Sequence, residues 1–117
     1  MAVPIRPTER HAYLDLLRPG GHGAVAATRG ALPIIFPVTF ELSKDHLTFE
    51  VASPDEPNPE LNGAVVAFDT ANIDGVSGLQ WHVHLLGVAL AAGSAWGGYP
   101  VRFALSTEVI SGWIGKS

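Results

Sequence analysis

Residues 22–42 read HGAVAATRGALPIIFPVTFEL, and this stretch decides the fold. Residues 23–28 (GAVAAT) are small and apolar, as a strand packed closely on its neighbours should be. Arg29-Gly30-Ala31 reads as a tight turn, because glycine adopts backbone angles that other residues avoid. Residues 32–42 (LPIIFPVTFEL) are rich in branched and aromatic side chains and read as a second, longer strand. Pro33 and Pro37 lie inside it. A proline cannot donate to a ladder, so both are expected at an edge, at a bulge or against a ligand.

Working outward, the pattern stays that of strands. Ser43-Lys44-Asp45 is a polar hairpin turn, and residues 46–51 (HLTFEV) alternate as a half-buried strand does. Residues 64–69 (AVVAFD) form the next strand, residues 71–78 a loop, and residues 79–92 (LQWHVHLLGVALAA) a long strand with a kink expected at Gly87. Residues 99–106 (YPVRFALS) are the last clear strand, and residues 109–117 read as a tail carrying Trp113. Before all of these, Thr8 is placed to cap a short helix over ERHAYLDLLR, whose Tyr13, Leu14, Leu16 and Leu17 fall at helical spacing. One short N-terminal helix and six strands without intervening helices make the chain mainly β, a six-stranded antiparallel barrel. With 117 residues, residues 1–117 are expected to form a single domain.

Composition narrows the function. Apolar residues are 47% of the chain and charged residues 15%, which suits a packed core and leaves apolar surface for a partner or ligand. The net charge is -4, and seven scattered cations do not make the basic patch that nucleic acid requires. There is no cysteine, which removes disulfides, thiolate nucleophiles and Cys-based zinc sites. No run approaches the roughly 20 apolar residues of a membrane-spanning helix, and the first residues lack a signal-peptide core. A soluble, cytoplasmic protein is expected, with neither nucleic acid nor membrane as partner.

Few residues carry chemistry. His82 and His84 share one face of a strand, so two imidazoles sit side by side. A catalytic zinc needs three protein ligands, and no second cluster of His or carboxylate is evident along the chain. The pair is therefore read as belonging to a polar or interfacial sheet face, with a ligand contact by His82 as the intermediate reading and no metal expected. Trp81, Val83 and Leu85 occupy the opposite, core-facing side. There is no G-x-S-x-G nucleophile turn and no phosphate-loop pattern, and Asp55 and Glu56 lie in an open loop where solvation keeps carboxylates ordinary.

The order of these segments resembles the pyridoxamine 5'-phosphate oxidase-like FMN-binding split β-barrels. In that family a first hairpin runs strand, short turn, Pro, apolar residues, then Pro-Val-Ser/Thr-Phe, matched here by Pro37-Val38-Thr39-Phe40. LNGAVVAFDTANIDGVSGLQWHVHLLGVAL resembles the later hairpin, with Trp81, Val83, Gly87 and Ala89 on the pattern and His82 in place of a Ser. VRFALSTEVISGW resembles the closing strand. The likeness spans residues 12–113.

The resemblance implies a homodimer with flavin sites at its interface. The second strand of the hairpin would lay its backbone at Pro37, Val38, Thr39 and Phe40 against the isoalloxazine ring. Thr28 and Arg29 would lie near the cofactor, and the Trp81 and His82 region would come from the partner subunit. The implied function is a flavin-dependent oxidoreductase using FMN, or a deazaflavin, on a small-molecule substrate. The chain departs from the family where the phosphate is usually clamped. Instead of Phe-Arg-Thr and a Gly-Ser-Lys-like turn it has Phe49-Glu50-Val51 and then SPDEPNPE, with three prolines, three acids and no cation. Trp113 stands where an Arg is common. Arg29 is then the best-placed cation, with Lys44 and Arg102 as others the fold could bring near. The alternative reading is a degenerate barrel without flavin that serves as a binding or interaction module, in which SPDEPNPE is simply a stiff loop that blocks edge pairing.

Overall fold

A computed structural model of the chain describes residues 2–4, 10–51, 61–93, 95–96, 99–100 and 102–116. The acidic, proline-rich segment 53–60 and the candidate cap Thr8 lie outside the described residues. The elements are β1 (Ala2–Pro4), α1 (Arg10–Leu17), β2 (Gly21–Arg29), β3 (Leu32–Ser43), β4 (His46–Val51), β5 (Val65–Ile73) and β6 (Leu79–Val88), followed by β7 (Leu90–Ala91), β8 (Ala95–Trp96), β9 (Tyr99–Pro100), β10 (Arg102–Ser106) and β11 (Ile110–Lys116).

The HGAVAATRGALPIIFPVTFEL stretch forms the β2–β3 hairpin, paired from Gly21↔Phe40 to Arg29↔Leu32. Its two turn residues, Gly30 and Ala31, have φ of 53° and 69°. Positive φ at both positions is the type I′ geometry whose twist matches that of paired strands.

The main sheet runs β1-β11-β6-β5-β2-β3-β4-β10-β7, and every pairing in it is antiparallel. β6 and β7 are two halves of one interrupted strand. The strand is interrupted at Ala89 and not at the expected Gly87, and the Ala89 backbone N–H donates to Ala64 O at 2.9 Å. Gly87 stays in the strand because its missing Cβ makes room for Leu105, whose Cδ1 would lie 3.1 Å from an added Cβ. After the interruption, β7 pairs with β10, so six strands close on themselves. The closure rests on two residue pairs, Phe103↔Ala91 and Ala104↔Leu90, which leaves the barrel split.

The strand count differs from six. β11 and β1 extend the sheet beyond β6, giving eight strands once β6 and β7 are counted as one. Residues 110–116, expected as a tail, pair with the first seven of the ten residues of β6, from Ile110↔Leu85 to Lys116↔Leu79. Glycines and polar residues made this segment look irregular. What holds it is the ladder it completes, a tertiary effect that overrides local propensity. Tyr99 and Pro100, expected at the start of the last strand, instead pair with Ala95 and Trp96 in a small hairpin.

Alternating inward residues fill the barrel: Val25, Phe36, Val38, Phe40, Leu47, Phe49, Val66, Phe68, Val83, Leu85, Phe103 and Leu105 are all buried. Phe40 meets Phe68 edge-on at 5.1 Å and Phe49 stacks on Phe103 at 5.4 Å, both favoured aromatic geometries. α1 covers one end with Tyr13, Leu14 and Leu17. Arg10 fastens the helix to the β10–β11 turn by donating to the backbone O and the hydroxyl of buried Thr107. Thr107 in turn donates to Asp45 O.

The β5–β6 loop is held by Asp74. Its carboxylate accepts from the backbone N–H groups of Val76 (2.8 Å) and Ser77 (3.4 Å), and its own N–H donates to Leu79 O at 2.7 Å. The donation from Val76, followed by that from Ser77, holds the Asp74 carboxyl below its ordinary value. A depressed folded-state value means the contribution is complete above the unfolded value. It is lost as pH falls through the lower folded one. Protection of the Val76 and Ser77 amides, relative to the unfolded chain at the same pH, is therefore expected to fall on acidification below the ordinary Asp range, and Asp74→Asn is expected to remove that loss of protection.

Candidate functional site

Two clefts flank the point where α1 leads into β2. The first, of about 310 Å³, is lined by Gly20, Gly21, His22, Thr39, Phe40, Glu41, Thr48, Glu50 and Arg102 among others. The second, of about 300 Å³, shares Pro19 to His22 and Phe40 with the first and adds Leu16, Thr70, Ala71, Asn72 and Trp81. Thr70 is buried, and its hydroxyl donates to His22 O at 2.9 Å, which ties β5 to the start of β2.

The pleat sorts the residues expected at the site. On β3, Pro37 and Thr39 are exposed, whereas Val38 and Phe40 point into the core. Only the backbone of Val38 and Phe40 is thus presented outward. Pro33 and Pro37 lie beyond the described β3–β4 ladder, which begins at Val38↔Val51. Among the described residues this part of β3 is an edge, which agrees with the reading of the two prolines.

Thr28 and Arg29 are exposed at the hairpin end of β2, while Thr39 pairs with His22 near its other end. The six residue steps from His22 to Thr28 correspond to about 20 Å at the rise of a strand. The structure therefore brings Thr39 and Phe40 into the clefts and sets Thr28 and Arg29 apart from them. Trp81 and His82 are also separated. Trp81 lines the second cleft on the core side of β6, and His82 points to the outer face.

Glu50, which stands where the family pattern has Arg, pairs across strands with Arg102. Arg102 Nη2 lies 3.3 Å from Glu50 Oε2, and both side chains are near half-exposed. The first cleft thus has an internal counter-charge for one of its two acids.

The outer face carries a residue that sequence reasoning passed over. Asp69 on β5 lies directly across from His84 on β6. His84 Nδ1 is 3.0 Å from Asp69 Oδ1, and His82 Nε2 is in contact with the same oxygen. The two imidazole centroids are 4.1 Å apart, and Trp113 on β11 meets His82 edge-on at 5.9 Å. The absence of a second cluster along the sequence was the reason to expect no metal. The third group does exist, 13 positions upstream of His82, brought in by strand pairing. The only sequence signal was an acid closing the apolar run AVVAFD, and it acquires meaning only with the hairpin register that the Asp74 loop pins.

Among the described residues, no helix is long and apolar enough to cross a membrane. No family model and no curated protein matches the sequence. Solved structures do match. The FAD-binding protein from Mycobacterium smegmatis superposes with a TM-score of 0.75 at 20% identity, over 99% of this chain and 100% of that one. A protein from Corynebacterium glutamicum assigned as a pyridoxamine 5'-phosphate oxidase gives 0.72 at 18% identity, over the full length of both chains. An FAD-binding protein from Mesorhizobium loti gives 0.70 at 15% identity, over 100% of this chain and 98% of that one.

Proposed function

We propose that this chain, which has the fold of the pyridoxamine 5'-phosphate oxidase-like split barrels, binds a flavin and serves as a flavin-dependent oxidoreductase for a small-molecule substrate. The observation that carries the reading is the exposed face of β3 at Pro33, Ile35, Pro37 and Thr39, which among the described residues lacks a β4 partner before Val38. This is the strand that the family resemblance sets against the isoalloxazine ring. The outward backbone of a strand whose side chains at Val38 and Phe40 are locked in the core is a rigid, flat support for a planar ring. When bound, the flavin supplies the electron transfer, and the protein supplies position and electrostatics. Thr39 offers a hydroxyl, and Thr28 and Arg29 offer polar and cationic contacts at the hairpin end.

Two solved neighbours are FAD-binding proteins, so FAD stands beside FMN as the flavin to be tested. The visible absorption of freshly purified protein is the first measurement, followed by titration with FMN and FAD. A retained or saturable flavin band supports the reading. A colourless protein that takes up neither flavin overturns it in favour of a barrel that binds other partners.

The same reading includes a homodimer. The outer face carries an apolar row across four strands, Ile35–Ala26–Ala67–Leu86, with Val65 opposite Val88 in the next. Ile35 is 75% exposed, Val65 65% and Leu86 50%, so large apolar side chains of this row lie open to water. A second copy covering this face would bury it. Leu86→Glu is expected to convert a dimer to a monomer in sedimentation or light scattering, and a native chain that is already monomeric would remove the dimer from the proposal.

A further inference from the structure

Asp69, His82 and His84 place three metal-ligating atoms within 4.8 Å of one another on the outer face of the β5–β6 hairpin. We propose that they form a binding site for one divalent first-row transition-metal ion of the zinc or ferrous class. This inference goes beyond the flavin reading and does not depend on it.

Three features carry it. The first is the donor set. Two imidazoles and one carboxylate are hard-to-borderline ligands that suit zinc, iron, cobalt or nickel and disfavour calcium and magnesium, which take oxygen ligands. The second is spacing. His84 Nδ1 lies 3.0 Å from Asp69 Oδ1, close to the roughly 3.0–3.4 Å between ligands bound at about 2.1 Å to one ion. His82 Nε2 is gathered on the same carboxylate oxygen. The third is rigidity. All three side chains rise from adjacent paired strands: Asp69 faces His84 across the ladder, and His82 follows at i−2 on the same face. β11 braces the far side, with Trp113 paired to His82 and set edge-on against its ring.

The side chains of Asp69, His82 and His84 are 46%, 27% and 46% exposed. In the single chain, three protein ligands on one side and an open face on the other leave coordination positions free, which is the arrangement of a metal that binds or polarises a small molecule. A closed structural site would have filled them with protein.

The test uses the whole chain. Metal content of the purified protein is measured first. The protein is then stripped with a chelator and titrated with zinc chloride by calorimetry, and with cobalt chloride by visible absorption. The expected result is one ion per chain, with a cobalt spectrum showing nitrogen and oxygen ligation. His84→Ala and Asp69→Asn should each weaken binding by roughly a hundredfold or more, beyond the 10–100-fold typical of residues that only support a ligand. Asp69→Asn keeps the shape of the side chain and one acceptor oxygen while removing the charge, so it guards against a folding artefact, and circular dichroism of the metal-free variants checks it. His46→Ala, on β4 away from the cluster, should bind as the native chain does. Failure of the native chain to bind either ion overturns the proposal, as does native-like binding by both variants. Flavin absorbance recorded in the same samples reports on the other reading separately.

Discussion

Gly112→Ala is expected to lower the folding free energy by on the order of 3 kcal/mol, at the upper end for one inserted methyl group. Gly112 lies in β11 opposite Val83 of β6. A Cβ built there falls 2.0 Å from His82 O and 3.1 Å from Tyr13 Cε1. The first neighbour is backbone, and the second belongs to a ring that is 1% exposed, so neither can swing aside. Tyr13 Oη also donates to Gly112 O at 3.4 Å. Relief requires β11 to separate from β6 or α1 to lift. Either movement shifts Trp113 away from His82. Denaturant unfolding measures the loss, and tryptophan fluorescence reports on the displacement. A loss below about 1 kcal/mol, within the range of ordinary surface substitutions, would contradict the close docking of β11 on β6.

Arg29→Ala is expected to weaken flavin binding by about 10- to 100-fold, the cost of one charge-assisted hydrogen bond of roughly 1.5–3 kcal/mol. Arg29 lies at the hairpin end of β2, beside the turn that the family resemblance places near the cofactor. Arg102 lies in the first cleft and is engaged by Glu50. Arg102→Ala is therefore expected to change flavin affinity less than threefold, a difference of well under 1 kcal/mol. Titration of both variants with FMN and FAD decides between the two ends of β2. If Arg102→Ala is the damaging change, the phosphate lies in the cleft beside Gly20 to His22, and Glu50→Gln should then tighten binding by freeing the guanidinium.

Much of the barrel was legible along the chain because its signals are local. The alternation of HLTFEV gave β4 with its observed bounds, and Gly30 marked a turn that does have positive φ. The two prolines of β3 pointed to an edge, a bulge or a ligand, and among the described residues they lie beyond the β3–β4 ladder. Other features were illegible for a common reason. β11 is held by the ladder to β6 and not by its own propensity. The interruption at Ala89 precedes the pairing of β7 with β10, which no local pattern encodes. The faces of Trp81 and His82 were readable from period two, whereas the cleft that Trp81 lines needs α1 and β5 beside it.

The sequence by itself determined the class of the protein. Spacing of apolar residues and turn chemistry act within a few positions of the chain, and they specify an antiparallel barrel. Only the tertiary structure decided which side chains meet. Asp69 joins His82 and His84, and Arg102 joins Glu50, through cross-strand register. Register depends on loops, closure and long-range pairing, and a shift of one residue would turn each of these partners to the opposite face.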